Sequence, residues 1–336
     1  MTAFTVPTVD LSSASPGSPG SSGSSAEFVA ALRESSCVFV TGHGVPAGLM
    51  NDMIEVSTAF FDLPRELKAP TRWPGDGLWR GWQPVHEGDA DLTGGRVPDL
   101  LERFEVALSG PRRAGTDALA STFSLWPAEP AGFATVWTRY YAALGALASR
   151  LMTAVINTLG LPAEVSAAWT AEHFANLVAI NYIAQPVPPE PGQLRIRQHT
   201  DRGGLTLLWA DQSPGGLEVM LPYSREWVPV LIPDGTFLVQ AGDLLARWTA
   251  HLIKPNIHRV VNPPADVAAT SRRISIPYFH YPRLDLLVET APSCLGDGRR
   301  PARPAVAGEH AFRRQEDYKG PDTAGVDEAL AALSAP

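Results

Sequence analysis

Hydrophobic positions in the first half of the chain recur mostly at helical spacing, whereas in the second half they fall into short blocks. The clearest stripe runs from Phe133 to Leu159. There Trp137, Tyr140, Leu144, Leu147, Leu151 and Val155 follow the i, i+3, i+4 rule and predict one long helix, ended by Gly160 and Pro162. A second helix is predicted from Pro46, a favoured first helical position; it carries Leu49, Met53, Ile54 and Phe60-Phe61 on one side and stops by Pro64. Ala26–Glu34 reads as a shorter helix and Cys37–Val40 as a buried strand. Before them, Ser12–Ser25 (SSASPGSPGSSGSS) has no apolar surface to bury and predicts a flexible loop after Val9-Asp10-Leu11. Pro70–Thr93 is irregular, with Trp73, Trp79 and Trp82 among glycines and prolines.

From residue 176 the texture changes. Apolar or alternating runs at Leu177–Ile183, Leu205–Trp209, Leu217–Met220, Trp227–Leu231, Phe237–Gln240, Ile257–Val261 and Arg273–His280 read as seven short strands. Turn residues such as Pro214-Gly215-Gly216, Pro233-Asp234-Gly235 and Gly242-Asp243 separate them, which predicts a closed or nearly closed antiparallel β-structure. The stretch from Pro292 onward is rich in Pro, Arg and Gly and reads as a tail over the surface; there is no internal repeat.

A length of 336 residues suits two domains or one large decorated β-domain, and 45% hydrophobic residues supply ample core. The net charge of −8 offers no basic field for nucleic acid or an anionic membrane. No window reaches ~18 uninterrupted apolar residues, and the N-terminus lacks a signal-peptide pattern. Cys37 and Cys294 form neither a disulfide framework nor a metal spacing. The expectation is a soluble, cytoplasmic enzyme or small-molecule binder, with no nucleic-acid or membrane partner and an open oligomeric state.

Three places carry candidate chemistry. His199-Thr200-Asp201, expected just before a strand, puts an imidazole and a carboxylate on one face of extended backbone. That is two thirds of a facial metal triad, though His-x-Asp alone is a weak signal. His258, fixed in direction by the run Ile257–Val261, is favoured as third ligand over His251 in the preceding loop. Arg273 and Ser275 share a strand face in a run too apolar for an edge in water, so an inward Arg273 needs an anion partner; guanidinium and hydroxyl together suit a carboxylate. The ligand set by itself accepts several divalent metals, zinc included.

These motifs, in this order, resemble the isopenicillin N synthase-like, 2-oxoglutarate-dependent iron(II) dioxygenases. The resemblance rests on His199–Leu208 (HTDRGGLTLL), Gly216–Val219, Trp227–Val230, Gly242–Leu245, His258–Pro263 and Arg273–Ser275. In the N-terminal half it rests on Val6–Leu11, Gly42–Pro46, Phe60–Pro64 and Arg80–Trp82, and it spans roughly residues 4 to 315. It implies a mixed α/β fold with a mainly β core: a double-stranded β-helix (jelly roll, cupin-like) with N-terminal and flanking helices. The divisions would be 1–175 (mostly helical, with the 12–25 loop), 176–290 (the Fe(II)/2-oxoglutarate core) and 291–336 (a wrapping tail) within one compact unit.

By the same resemblance, His199, Asp201 and His258 are the iron ligands, and Arg273 and Ser275 bind the distal carboxylate of 2-oxoglutarate, whose keto-acid end chelates the metal. Asn181-Tyr182 stands where the family carries Asn-Tyr-Tyr, which puts Asn181 near the co-substrate, while Ile183 replaces the second aromatic. His251 falls where many relatives have Asn. The implied reaction uses O2, releases succinate and CO2, and through an iron(IV)-oxo species hydroxylates, desaturates or cyclises a small molecule, with antibiotic or other secondary-metabolite biosynthesis as the setting. Two other readings share this barrel: an oxidase of the isopenicillin N synthase type, in which Arg273 and Ser275 hold the substrate, and a non-catalytic binder. His43 and His280 read as structural, Trp73, Trp79 and Trp82 as either a lid or a cover, and Glu105 as an exposed charge or a partner of Arg80.

Overall fold

The computed structural model describes residues 5–12, 21–74, 80–85, 99–107, 125–213, 215–296 and 298–312. Its helices are α1 (Ser21–Ser35), α2 (Ala47–Asp62), α3 (Arg65–Lys68), α4 (Phe133–Leu159), α5 (Ser166–Trp169), α6 (Asp243–Trp248) and α7 (Ala307–Ala311). The first strands are β1 (Thr8–Asp10), β2 (Cys37–Thr41), β3 (Gly81–Gln83), β4 (Leu101–Val106), β5 (Phe174–Tyr182), β6 (Ile196–Thr200) and β7 (Leu205–Ala210). They are followed by β8 (Leu217–Met220), β9 (Trp227–Pro229), β10 (Phe237–Ala241), β11 (Ile257–Val260), β12 (Arg273–Tyr281), β13 (Leu287–Val288) and β14 (Ala305–Val306).

The apolar stripe of α4 is buried at Phe133, Trp137, Tyr140, Leu144, Leu147 and Leu151. Gly160 closes the helix in the left-handed conformation (φ 58°), and the Leu161 N–H returns to the Ile156 carbonyl. Phe133 and Trp137 pack with Phe60 of α2 and Phe104 of β4, with ring centroids 5.0–5.2 Å apart. By length and composition α4 is apolar enough to cross a membrane; here its stripe lies against α1, α2 and the sheet.

Two sheets make the β core. The larger has the order β1-β2-β10-β7-β12-β5-β4-β3, antiparallel except for β1–β2, and the smaller has the order β6-β11-β8-β9. Val178, Ile180 and Tyr182 of β5 and Leu208 and Ala210 of β7 face Leu217, Val219 and Val260 of the smaller sheet. The alternate residues of the same strands, such as Leu177, Ala179, Leu207 and Trp209, pack beneath the helices. The centre of the large sheet is therefore buried on both faces, and β5 and β7 are buried at every position. This is the double-stranded β-helix with outer helices.

All seven expected strands are present, with ends shifted by a few residues. Three expectations are corrected. Residues 21–25, assigned to a flexible loop, are the start of α1; its stripe of Phe28, Val29 and Leu32 is fully buried and outweighs the poor helix propensity of serine and glycine. Residues 13–20 of that loop lie outside the described residues. His199-Thr200-Asp201 precedes strand β7 as expected, and His199 and Thr200 also end β6, a strand the sequence did not reveal. The turn at Gly242-Asp243 opens the short helix α6. The 1–175 region, besides its helices, supplies β1–β4 to the same sheet as the core strands. Within the tail, Ala307 and Ala311 of α7 are fully buried, and the Arg202 guanidinium donates to the Ala311 carbonyl at 3.2 Å.

Candidate active site

β6 and β11 are antiparallel neighbours, and His199 lies directly opposite His258. Their rings are 4.2 Å apart, and Asp201, just past the end of β6, places Oδ1 3.8 Å from each Nε2. Among the described residues, these three form the one group of three His, Cys, Asp or Glu side chains whose ligand atoms all lie within 4.8 Å of one another. His251 is not part of it; it sits in a left-handed turn (φ 56°) after α6.

Each donor is aimed by a second contact. The His199 Nδ1–H donates to the Arg197 carbonyl (2.8 Å) and the His258 Nδ1–H to the Asn256 carbonyl (3.3 Å), leaving both Nε2 lone pairs toward the common point. The Thr206 hydroxyl donates to Asp201 Oδ2 at 2.5 Å, so Oδ1 is the oxygen left facing the imidazoles. Asn256 is itself held by Gln240 (2.6 Å) and Ser36 (2.9 Å). Burial, then the neighbouring His199, push His258 down to about 4 against the opposing pull of Asp201, so its imidazole is neutral near pH 7. Behind the triad the chain passes close to itself: a side chain at Gly242 would come within 2.4 Å of the Gly203 carbonyl, and the Asp243 N–H donates to the Asp201 carbonyl at 2.8 Å. Two imidazoles and one carboxylate converging from one side fit a six-coordinate Fe(II) with its remaining positions open.

Beyond the triad, Arg273 and Ser275 are buried on the interior face of β12, at 4% and 1% exposure. Register puts Tyr182 opposite Arg273, and the Tyr182 and Ser275 side chains are hydrogen-bonded. The guanidinium lies 5.4 Å from the Tyr182 ring centroid, and that of fully buried Arg195 lies 5.7 Å from it. Arg195 is tied to the Ser271 carbonyl and hydroxyl and to the Gly215 carbonyl. Burial and then Arg273 lower its pKa to about 10. Two guanidiniums and two hydroxyls buried together form a site for an anion. Tyr182 and Arg195 were not among the expected site residues. Only the strand register places Tyr182 beside Arg273, and nothing in the sequence marks Arg195 as buried.

Asn181 is not brought to this site. It lies on the opposite face of β5, pairs in register with Glu102 and Ile274, and donates to Glu102 Oε1 at 2.8 Å. The reason is strand alternation: Tyr182 and Asn181 point to opposite sides, and Tyr182 takes the inner one. Glu105 is no exposed charge either, being 2% exposed. Trp82 is a covering residue, 3% exposed, with its indole N–H on Glu102; Trp79 lies outside the described residues. His43 and His280 are tied to backbone carbonyls of Gly235 and Trp169, both at 2.9 Å.

This barrel, its triad and its buried anion site define a non-haem iron oxygenase. The chain belongs to the 2OG-Fe(II) oxygenase superfamily, which it matches over residues 174–282; residues 6–129 match the N-terminal region described for non-haem dioxygenase in morphine synthesis. It is 33% identical to validamycin A dioxygenase of Streptomyces hygroscopicus subsp. limoneus, covering 88% of this chain and 82% of that protein. It is 31% identical to homoarginine-6-hydroxylase 2-ODD-233 of Oryza sativa subsp. japonica, covering 79% of each. Among solved structures, a full-length Neurospora crassa protein in complex with alpha-KG and thymine matches with a TM-score of 0.79 at 25% identity, covering 93% of this chain and 97% of that one. The dioxygenase for auxin oxidation in rice matches with a TM-score of 0.68 at 28% identity, covering 94% of each chain. The protein is an oxidoreductase that uses Fe(II), 2-oxoglutarate and O2.

Proposed function

We propose that the chain hydroxylates a small molecule of specialised metabolism, desaturation or ring closure being other outcomes of the same chemistry, with His199, Asp201 and His258 holding Fe(II). Arg273 and Ser275 take the distal carboxylate of 2-oxoglutarate, with Tyr182 as a further hydroxyl and Arg195 as a second positive charge. The observation that carries this reading is the meeting, inside one barrel, of an inward-facing triad with a buried guanidinium–hydroxyl pair. Validamycin A dioxygenase and homoarginine-6-hydroxylase, by their names, act on small polar molecules, which supports a substrate of that size.

Bound iron supplies the one-electron oxygen chemistry that side chains lack. The chain does the positioning. Thr206 and the two backbone carbonyls orient the donors, and Arg273 with Ser275 fixes the co-substrate at its far end. The apolar inner residues exclude water, so that one C–H bond is presented and others are held away. Cys37 and Cys294 are free and buried, which suits the reducing cytoplasm that we propose as its location.

The test needs no substrate. Fe(II) and then 2-oxoglutarate are added to the protein under nitrogen and the visible charge-transfer band of the chelate is recorded. The band is expected to disappear in His199→Ala and to require more 2-oxoglutarate in Arg273→Ala. Iron binding without any band would overturn the co-substrate assignment and return Arg273 and Ser275 to the substrate.

A further inference from the structure

The interior face of the large sheet carries a second polar group that metal and co-substrate binding leave unused. On β5 the residues that share the inner face with Val178 and Ile180 include Asn176, and on β4 they include Arg103 and Glu105, since Glu105 pairs with Val178 and Arg103 with Ile180. Asn176 is 4% exposed and Glu105 2%. Glu105 Oε1 is paired with Arg103 Nε at 2.8 Å, and the Arg103 Nε–H also donates to Gln83 Oε1 at 2.8 Å. The Asn176 amide donates to Glu105 Oε2 at 3.1 Å. That bond fixes the orientation of the amide, because its oxygen would be repelled by the carboxylate. The other end, Asn176 Oδ1, accepts no hydrogen bond from any described residue. A buried carbonyl oxygen without a donor is costly, and a donor arriving there would remove that cost.

Register connects this pair to the metal centre. Asn176 lies opposite Phe279 of β12, and Phe279 lies opposite Thr206 of β7, whose hydroxyl holds Asp201. With strands ~4.8 Å apart, Asn176 stands two strands, or ~10 Å, from Thr206, about the span of one substituted six-membered ring. Phe279 is the one half-buried residue in the otherwise buried β12, and it packs against the inter-sheet cluster on the barrel side. Tyr281, two residues beyond Phe279, stands on the same side of β12 opposite Phe174 and is 4% exposed.

We propose that Asn176 and Glu105 form the substrate-recognition subsite of this barrel, taking a small ring compound that donates hydrogen bonds from hydroxyl or N–H groups while its ring lies on Phe279. The proposal rests on the preceding reading of the metal and co-substrate sites. Glu105 spends part of its charge on Arg103, so the wall accepts hydrogen bonds without demanding a full cation, and it disfavours a substrate that turns a carboxylate or phosphate toward it. This side of the barrel therefore takes donors, whereas the side at Arg273 takes an anion. A substrate and 2-oxoglutarate are thereby kept from exchanging places.

Equilibrium dialysis of the Fe(II)- and 2-oxoglutarate-loaded protein under nitrogen tests this. The probes are cyclohexane-1,2-diol, 2-aminocyclohexanol and uracil, each beside its O- or N-methylated counterpart. The parent compounds are expected to bind at least about tenfold more tightly than the methylated ones, because methylation leaves Asn176 Oδ1 unpaired. Asn176→Leu is expected to abolish that preference and Glu105→Gln to reduce it. Phe279→Leu is expected to weaken parent and methylated probes alike and keep their ratio. Equal binding of the two sets, a preference that survives Asn176→Leu, or no binding of any parent compound would each overturn the proposal. The 2-oxoglutarate charge-transfer band, recorded on the same samples, separates its failure from failure of the preceding reading: a normal band with no donor preference sinks only the subsite.

Discussion

Replacing Arg273 by Leu removes one of two positive charges that share a buried pocket, and two opposite consequences follow. The Arg273 and Arg195 guanidiniums lie 5.4 and 5.7 Å from the same Tyr182 centroid, so they are at most about 11 Å apart. At an effective dielectric of about 20, two unit charges at that distance repel by about 1.5 kcal/mol, and by more if closer. Removing one charge relieves that repulsion in the protein without co-substrate, and Leu is compatible with neighbours such as Ile180 and Leu217 in the inter-sheet core. With 2-oxoglutarate present, the variant loses a charge-assisted contact of about 1.5–3 kcal/mol, a weakening of roughly 10- to 150-fold. Arg195 and Ser275 remain, so binding is reduced rather than abolished. The assay is a pair of titrations: anaerobic 2-oxoglutarate binding followed by the charge-transfer band, and thermal unfolding with and without 2-oxoglutarate. Expected are an unchanged band at saturation, a midpoint shifted by that factor, and an unliganded melting temperature equal to or a few degrees above wild type. Unchanged 2-oxoglutarate affinity would refute the anion role of Arg273. A fall of many degrees in the unliganded protein would show instead that it is a strut.

Three further outcomes follow from particular contacts. Thr206→Val removes the hydroxyl that holds Asp201 Oδ2 and is expected to weaken Fe(II) binding by about 10–100-fold in chelator competition, with little change in fold. Glu102→Ala leaves Lys68, 7% exposed, without its carboxylate and also strips partners from Trp82 and Asn181; urea unfolding is expected to show a loss of about 3–5 kcal/mol, and a loss below about 1 would refute the network's role. Burial holds His280 well below, and His173 below, the ordinary imidazole value. A proton therefore binds the unfolded chain more readily, so their contribution to stability is full above pH ~6.5 and declines as pH falls toward the folded-state values. The melting temperature should drop between pH 7 and 5, and His280→Gln should flatten that slope; an identical slope in the variant would count against it.

How far the sequence was legible depended on whether a residue's surroundings could be inferred from its neighbours in the chain. Helix α4 was readable from end to end because its stripe is local. The central strands of the large sheet, such as β5, β7 and β10, were readable because burial on both faces makes them mostly apolar. His199, Asp201, His258, Arg273 and Ser275 were legible because they sit in short motifs on extended backbone, where period two fixes which residues share a face. β6, Ile-Arg-Gln-His-Thr, was not: all five residues are half-buried at the barrel mouth and carry no apolar pattern. β4 was missed because its charged residues, Glu105 read as exposed among them, hide the strand; Lys68, Trp82, Asn181 and Asn176, brought from a helix and other strands, make the burial of Glu102 and Glu105 tolerable, with Arg103 of the same strand.

The sequence by itself thus determined the two long helices α2 and α4, most core strands and the ligand-bearing motifs, since these follow from spacing along one segment. The tertiary structure alone decided that Tyr182 and not Asn181 faces Arg273, that Arg195 lies beside it, and that Asn176 and Glu105 look into the barrel. These depend on register between strands tens of residues apart, and a shift of one residue would turn every side chain to the other face.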